Sequence, residues 1–245
     1  MCRLLGFVSE SETNFSQLLG NSFENFIQLS KVHSDGWGLA NHDHRNTSLV
    51  RETQPALSSN KFTEITNSLE SNGALLHFRW ATPGLAVNEA NTHPFSFKGV
   101  SFIHNGSFTP ITALDSMIDV AYKINIKGDG DSERFFYFLL TEIDKYGIVE
   151  GIRSGILKMQ KQINYSSLNC MILSDELFIV VAEFNPDRIP PQFSEDYYEL
   201  RFKQSGRDVV VASSGWDQTN WTSLTNHSML IIDRKNLSTR VIALT

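Results

Sequence analysis

Cys2 stands next to the initiator methionine. A small residue there normally lets methionine aminopeptidase remove Met1, so Cys2 is expected as the chain terminus. A terminal cysteine carries a nucleophile and an amine on one residue. The amine has a reference pKa of about 7.7–8.0 and the thiol about 8.5. A free α-amine is therefore partly neutral near pH 7 and can act as base for its own thiol. Arg79 lies near the end of an apolar run, residues 74–80, before a loop with Pro83 and Gly84. Its guanidinium suits a bidentate clamp on a carboxylate. Asn105 and Gly106 follow a strand-like run, residues 100–104. An Asn amide beside a Gly N–H is oxyanion-hole chemistry. Asp131 opens a helical pattern after Gly128-Asp129-Gly130, where a carboxylate could bind an ammonium.

Each of these has a plainer reading on its own. Cys2 could be a buried small residue. Arg79 could be an ordinary strand-end arginine. Asn105-Gly106 alone is a turn signal, and residues 128–133 alone are a helix-capping sequence. Together they supply a nucleophile, a built-in base, a carboxylate clamp, an ammonium partner and oxyanion donors. That set fits a substrate with an α-amino acid head and an acyl group to be cleaved, the form of glutamine and other γ-glutamyl amides.

The elements that must position this chemistry read as strands at both ends of the chain with helices mainly between. Strands are expected over residues 3–8, 37–41, 48–52, 74–80, 100–104, 169–173, 177–183, 197–202, 208–213, 229–233 and 239–243. Residues 15–27, 62–69, 111–122, 131–145 and 148–163 carry helical spacing. The aromatic run at residues 135–140 reads as core. This order suits an α+β architecture with antiparallel sheets and packed helices. The chain has 245 residues, which fits a single domain, 1–245. Hydrophobic residues make up 41% and charged residues 20%, which excludes general disorder. A net charge of −6 argues against a nucleic-acid partner or an anionic-membrane binder. Two cysteines make no disulfide framework, and no run is long enough to span a membrane, so a cytoplasmic protein is expected.

The sequence resembles the class II glutamine amidotransferases, N-terminal-nucleophile (Ntn) hydrolases. The matching motifs are Met1-Cys2-Arg3-Leu4-Leu5-Gly6, His33-Ser34-Asp35-Gly36-Trp37-Gly38, Phe78-Arg79-Trp80-Ala81-Thr82, Asn91-Thr92-His93-Pro94-Phe95, His104-Asn105-Gly106 and Asp131-Ser132-Glu133. They run in the family's order across residues 2–140. The Asp-Gly-Trp-Gly form is similar to the stand-alone branch of glutathione-degrading and ergothioneine-pathway amidohydrolases.

The resemblance implies a four-layer αββα sandwich of two antiparallel sheets. It implies that Cys2 attacks the γ-carbonyl while Asn105 and Gly106 hold the oxyanion. Arg79 would take the substrate carboxylate, Asp131 its ammonium, and Trp80 and Thr82 would line the glutamine pocket. His93 belongs to a family motif, but a packed, loop-bracing histidine is the favoured reading. Two departures leave the acyl donor and acceptor open. Pro83 stands where synthase-coupled relatives often carry His, and Ser213-Ser214-Gly215 replaces an expected acidic residue.

No cofactor or metal is expected. His42-x-His44 could be half a metal site, but it is read as part of a polar turn without a third ligand. Phosphate loops, paired-Cys motifs and dinucleotide fingerprints are absent from the sequence. The leading expectation is a γ-glutamyl amide hydrolase working through a glutamyl thioester. No synthase domain is expected within this length, so ammonia would pass to water or to a separate synthase or partner subunit. A non-catalytic glutamine-binding regulatory subunit is the alternative. A terminal-Cys hydrolase of bile salts or penicillins is a third reading, and it would not need Arg79 and Asp131.

Overall fold

The computed structural model describes residues 2–42 and 47–245. In chain order the strands are β1 (Arg3–Thr13), β2 (Trp37–His42), β3 (Thr47–Glu52), β4 (Ser71–Phe78), β5 (Phe95–Phe97), β6 (Val100–Thr109), β7 (Asn164–Leu173) and β8 (Leu177–Ala182). They continue with β9 (Leu200–Ser205), β10 (Asp208–Ser213), β11 (Thr222–Ser223), β12 (Ser228–Asp233) and β13 (Thr239–Ala243). The helices are α1 (Phe15–Leu19), α2 (Asn21–Gln28), α3 (Asn60–Ser68), α4 (Val120–Lys123), α5 (Asp131–Tyr146) and α6 (Ile148–Gln162).

Two antiparallel sheets form, in the orders β11-β9-β10-β1-β4-β2-β3 and β13-β12-β8-β7-β6-β5. Side chains alternate between the two faces of a strand, and here both faces are buried. Leu4 and Val8 of β1 join Leu75, Met171, Phe178, Val211 and Leu230 between the sheets. Leu5 and Phe7 turn the other way, onto Phe15, Phe23, Phe26 and Phe62 of α1, α2 and α3. On the second sheet, Leu168, Cys170 and Ile172 of β7 pack with Phe135, Phe138, Ile152 and Ile156 of α5 and α6. The result is the expected αββα sandwich. Burial on both faces also explains the near-continuous apolar runs of the central strands.

Gly6 marks how closely the sheets approach: a Cβ there would lie 2.8 Å from Phe178 and 3.1 Å from Met171 of the second sheet. The run at 135–140 is core, as read, with all six residues buried. Several elements differ from expectation, among them β1, which runs to Thr13, and β7, which begins at Asn164. The helical pattern at 15–27 is broken at Gly20, whose φ of 54° is left-handed and ends α1. Residues 111–122 form only a 3₁₀ turn, Ile111–Leu114, and the four-residue α4. β6 runs on to Thr109, past the expected end at 104. No described helix is long and apolar enough to cross a membrane.

Candidate active site

Cys2 precedes β1, and Arg79 follows β4. Arg3 pairs with Phe78 in the ladder between these strands, so the two residues emerge side by side at one sheet end. Facing them from the second sheet is β6, with the first turn of α5 alongside. Cys2, Arg79, Trp80, Thr82, His93, Gly106 and Asp131 all line one narrow cleft at this end. Sequence reasoning named each of them. Asn105 is fully buried beside the cleft rather than in its lining.

The Cys2 thiol lies 3.8 Å from the Trp80 carbonyl, which accepts its weak hydrogen bond. Burial pushes the thiol pKa up, and Asp131 adds to this, while Arg79 opposes it. The sulfur is therefore a protonated thiol at neutral pH and needs a base before it attacks. Arg79 donates from Nη2 to the Ala86 carbonyl at 3.0 Å. Its Nη1 is buried without a hydrogen-bond partner. Asn105 has neither its Nδ2 nor its Oδ1 partnered. A buried orphan of this kind costs about 1–3 kcal/mol, and buried polar groups are ordinarily satisfied. Spare donors beside a cysteine are what a site needs to receive a carboxylate and an oxyanion.

Asn105 and Gly106 do not form the turn that their dipeptide suggests. They lie within β6, opposite Asn169 and Leu168 of β7. A Cβ on residue 106 would sit 1.8 Å from the Ser167 carbonyl oxygen, so only glycine fits. Asp131 is likewise not the helix cap expected from the sequence. The cap of α5 is Gly130, with no side-chain bond. Asp131 Oδ2 instead accepts from the Phe108 N–H at 2.9 Å. Glu133 takes the loop's N–H groups, Lys127 at 3.0 Å and Gly128 at 2.6 Å.

A proton count shows what Asp131 has left. The Ser132 hydroxyl has one proton and two acceptors, His104 Nδ1 at 2.8 Å and Asp131 Oδ1 at 3.1 Å. Burial lowers the pKa of His104, so the ring is neutral. His104 Nε2 lies 3.1 Å from the Ser167 carbonyl, which can only accept, so the ring proton is on Nε2. Nδ1 is then bare and takes the Ser132 proton. Oδ1 of Asp131 is left with open lone pairs for an ammonium.

His93 packs tilted at 34° to the His77 ring, 4.2 Å between centroids, with Phe95 at 4.7 Å. Both its nitrogens lack partners, and burial holds its pKa well below the usual range. It is a neutral packed ring in the cleft wall, consistent with the bracing reading.

Several supporting residues carry no individual role in the sequence reading. Asp35 Oδ2 accepts from the Ala81 N–H at 2.8 Å, while the Arg79 N–H reaches the Gly36 carbonyl. The 33–38 motif thus holds the 79–81 segment by its backbone. His33 is buried 5.7 Å from the Trp80 ring, its pKa pushed down to about 2 by burial and then by Arg3. Asn91 ties the loop at 86 to the turn at 129, through Ala86 and Asp129. The motifs containing these residues were visible in sequence, but their partners are distant in it. His42 is fully buried on Ser101 at 2.9 Å, not in a polar turn. Its suggested partner His44 lies outside the described residues. Among the described residues no group of three or more His, Cys, Asp or Glu could hold a metal.

A cleft lined by Cys2, Arg79 and Asp131, in this sandwich, is the arrangement that the sequence resemblance implied. Residues 1–189 match the glutamine amidotransferases class-II family. The chain belongs to that family. An uncharacterised protein of Methanocaldococcus jannaschii is 28% identical over 94% of this chain and 69% of its own. The "probable glutamine amidotransferase DUG3" of Saccharomyces cerevisiae is 26% identical over 60% of this chain, spanning 47% of its own length. In fold, the chain resembles a glutamine aminotransferase class-II domain protein of Silicibacter pomeroyi. That likeness has a TM-score of 0.69 at 18% identity, covering 99% of both chains. The amidotransferase sandwich is thus shared at low identity across the whole chain.

Proposed function

We propose that this amidotransferase hydrolyses glutamine or a γ-glutamyl amide through a glutamyl thioester on Cys2. The supporting observation is the convergence of Cys2, Arg79, Gly106 and Asp131 on one cleft, with Arg79 Nη1 unpartnered. With Met1 removed, the α-amine of Cys2 takes the thiol proton. The sulfur adds to the γ-carbonyl, and the oxygen gains negative charge held by Asn105 Nδ2 and the Gly106 N–H. The C–N bond then breaks. The amine leaves with the proton held by the α-amine, and water hydrolyses the thioester to glutamate. Arg79 and Asp131 fix the amino-acid head, so attack becomes effectively intramolecular. The released ammonia or amine passes to solvent or to a separate chain.

The test is intact-mass spectrometry of Met1-processed protein mixed rapidly with glutamine and γ-glutamyl amides. The expected result is a glutamyl adduct confined to Cys2, with glutamate released in turnover. Cys2→Ala should lose both while still binding substrate. Processed protein that forms no adduct and releases no glutamate defeats the proposal. Retained binding in that case would support the regulatory-subunit alternative.

A further inference from the structure

A second hollow adjoins the catalytic cleft. It is a groove of about 570 Å³ whose lining includes Trp80, Ala81 and Thr82, which also line the cleft. Its far wall is the connection between β8 and β9, residues 188–193, with Pro190, Pro191 and Phe193 among them. Ser107 lines the groove, and its neighbour Gly106 lines the cleft. A carbonyl carbon held between Cys2 and Gly106 therefore has the groove close by, across Trp80, Thr82 and Ser107. The amine half of an amide, which points away from the clamped head, is the part that enters it.

The wall is built, not incidental. Phe193 meets the Trp80 ring edge-on at 5.7 Å and stacks on Tyr197 at 4.0 Å. Tyr197 in turn carries the Arg3 guanidinium 4.3 Å above its ring, and its carbonyl accepts from Arg3 Nη1. A ladder of four side chains thus fixes the groove wall to β1, one residue from the nucleophile. At the groove's rim is Arg188, exposed and without an ion pair or side-chain hydrogen bond among the described residues. Nothing in the chemistry of ammonia needs an apolar groove and a free guanidinium.

Resting on the hydrolase reading above, we infer that this groove is an amine-side subsite for γ-glutamyl derivatives of apolar amino acids. The apolar side chain lies against Pro190, Pro191 and Phe193, and the carboxylate meets Arg188. The reaction balances as for glutamine. The Cys2–carbonyl bond forms, and the amide C–N bond breaks. The amino acid leaves with the proton from the thiol, and water completes the hydrolysis.

The experiment measures kcat/KM of Met1-processed protein for γ-glutamyl-phenylalanine, γ-glutamyl-phenethylamine and glutamine. The expected order is as written, because the second compound lacks the carboxylate and the third lacks both groups. Arg188→Gln should lower kcat/KM for γ-glutamyl-phenylalanine by about tenfold, the loss of one charge-assisted contact, and leave the other two within about twofold. Because Arg188 is exposed, the glutamine rate also reports that the variant is folded. Glutamine cleaved as well as γ-glutamyl-phenylalanine overturns the subsite and leaves the hydrolase reading standing. So does an Arg188→Gln effect equal on all three compounds. No glutamate from any of the three overturns both.

Discussion

The Asp35 carboxylate holds the Ala81 N–H at 2.8 Å, and the Arg79 carbonyl accepts from the Asp35 N–H. Two of the three residues leading out of β4 are thus set by one loop residue. Asp35→Ala leaves the Ala81 donor unmet, which costs about 1–3 kcal/mol if it stays dry. It should also lower kcat/KM for amide hydrolysis, because Ala81, between the cleft residues Trp80 and Thr82, loses its side-chain anchor. Asp35→Asn keeps an acceptor oxygen and should restore most of both. Steady-state kinetics and urea unfolding of the pair check this, and equal losses in the two variants would sink it. At this scale the site residues were legible only as a set, because each of cysteine, arginine and aspartate has a plainer reading alone. Their surroundings were not. Asn105-Gly106 looks like a turn until β7 supplies its register partners, Asn169 and Leu168. Asp131 looks like a cap until Phe108 claims its Oδ2.

At the scale of elements, α5 and α6 cover the second sheet as an antiparallel pair and carry the first turn with Asp131 to the cleft. Their crossing depends on Gly151 in α6. A Cβ there would sit 2.5 Å from the Ile143 Cα and 2.6 Å from its nitrogen. These are backbone atoms and cannot swing aside, so Gly151→Ala must push the helices apart. Overpacking of this kind costs about 1–3 kcal/mol, although alanine is the better helix former. The expected outcome is a lower urea midpoint, read by circular dichroism. A rise in midpoint would mean that helix propensity outweighs the clash. The long helices were legible because cap signals at 131–132 and Gly147 bound α5, and Ile152 and Ile156 recur at helical spacing in α6. Residues 111–122 misled because apolar spacing alone does not close a helix. Asp115 and Asp119 interrupt the segment, and Asp119 caps α4 afresh through the Ala121 N–H. The wall at residues 188–193 was visible only as a proline break, since its meaning lies in the stack from Phe193 to Arg3.

Taken whole, the α+β class was legible in the order of apolar strands and helices, while the four-layer sandwich came with the family resemblance. The sandwich also makes the molecule sensitive to acid. His33 is buried with a pKa pushed down to about 2, and His77 with one pushed down to about 3, each chiefly by desolvation. An unfolded histidine titrates near 6.5. Between these values the unfolded chain binds protons that the folded protein refuses. Stability from this source is therefore complete above about pH 6.5 and is lost as pH falls toward 3. Each histidine contributes a slope of about 1.4 kcal/mol per pH unit. For the two together the loss at pH 5 is about 4 kcal/mol, above the range where most carboxylates titrate. Urea unfolding at pH 7 and pH 5 should show this as a lower midpoint in acid. His33→Gln should remove about 2 kcal/mol of the difference, because glutamine takes up no proton in either state. A midpoint unchanged between pH 7 and pH 5 would show that these rings are protonated or hydrated in the fold. The packing of His33 near Trp80, and of His77 against His93, would then be wrong.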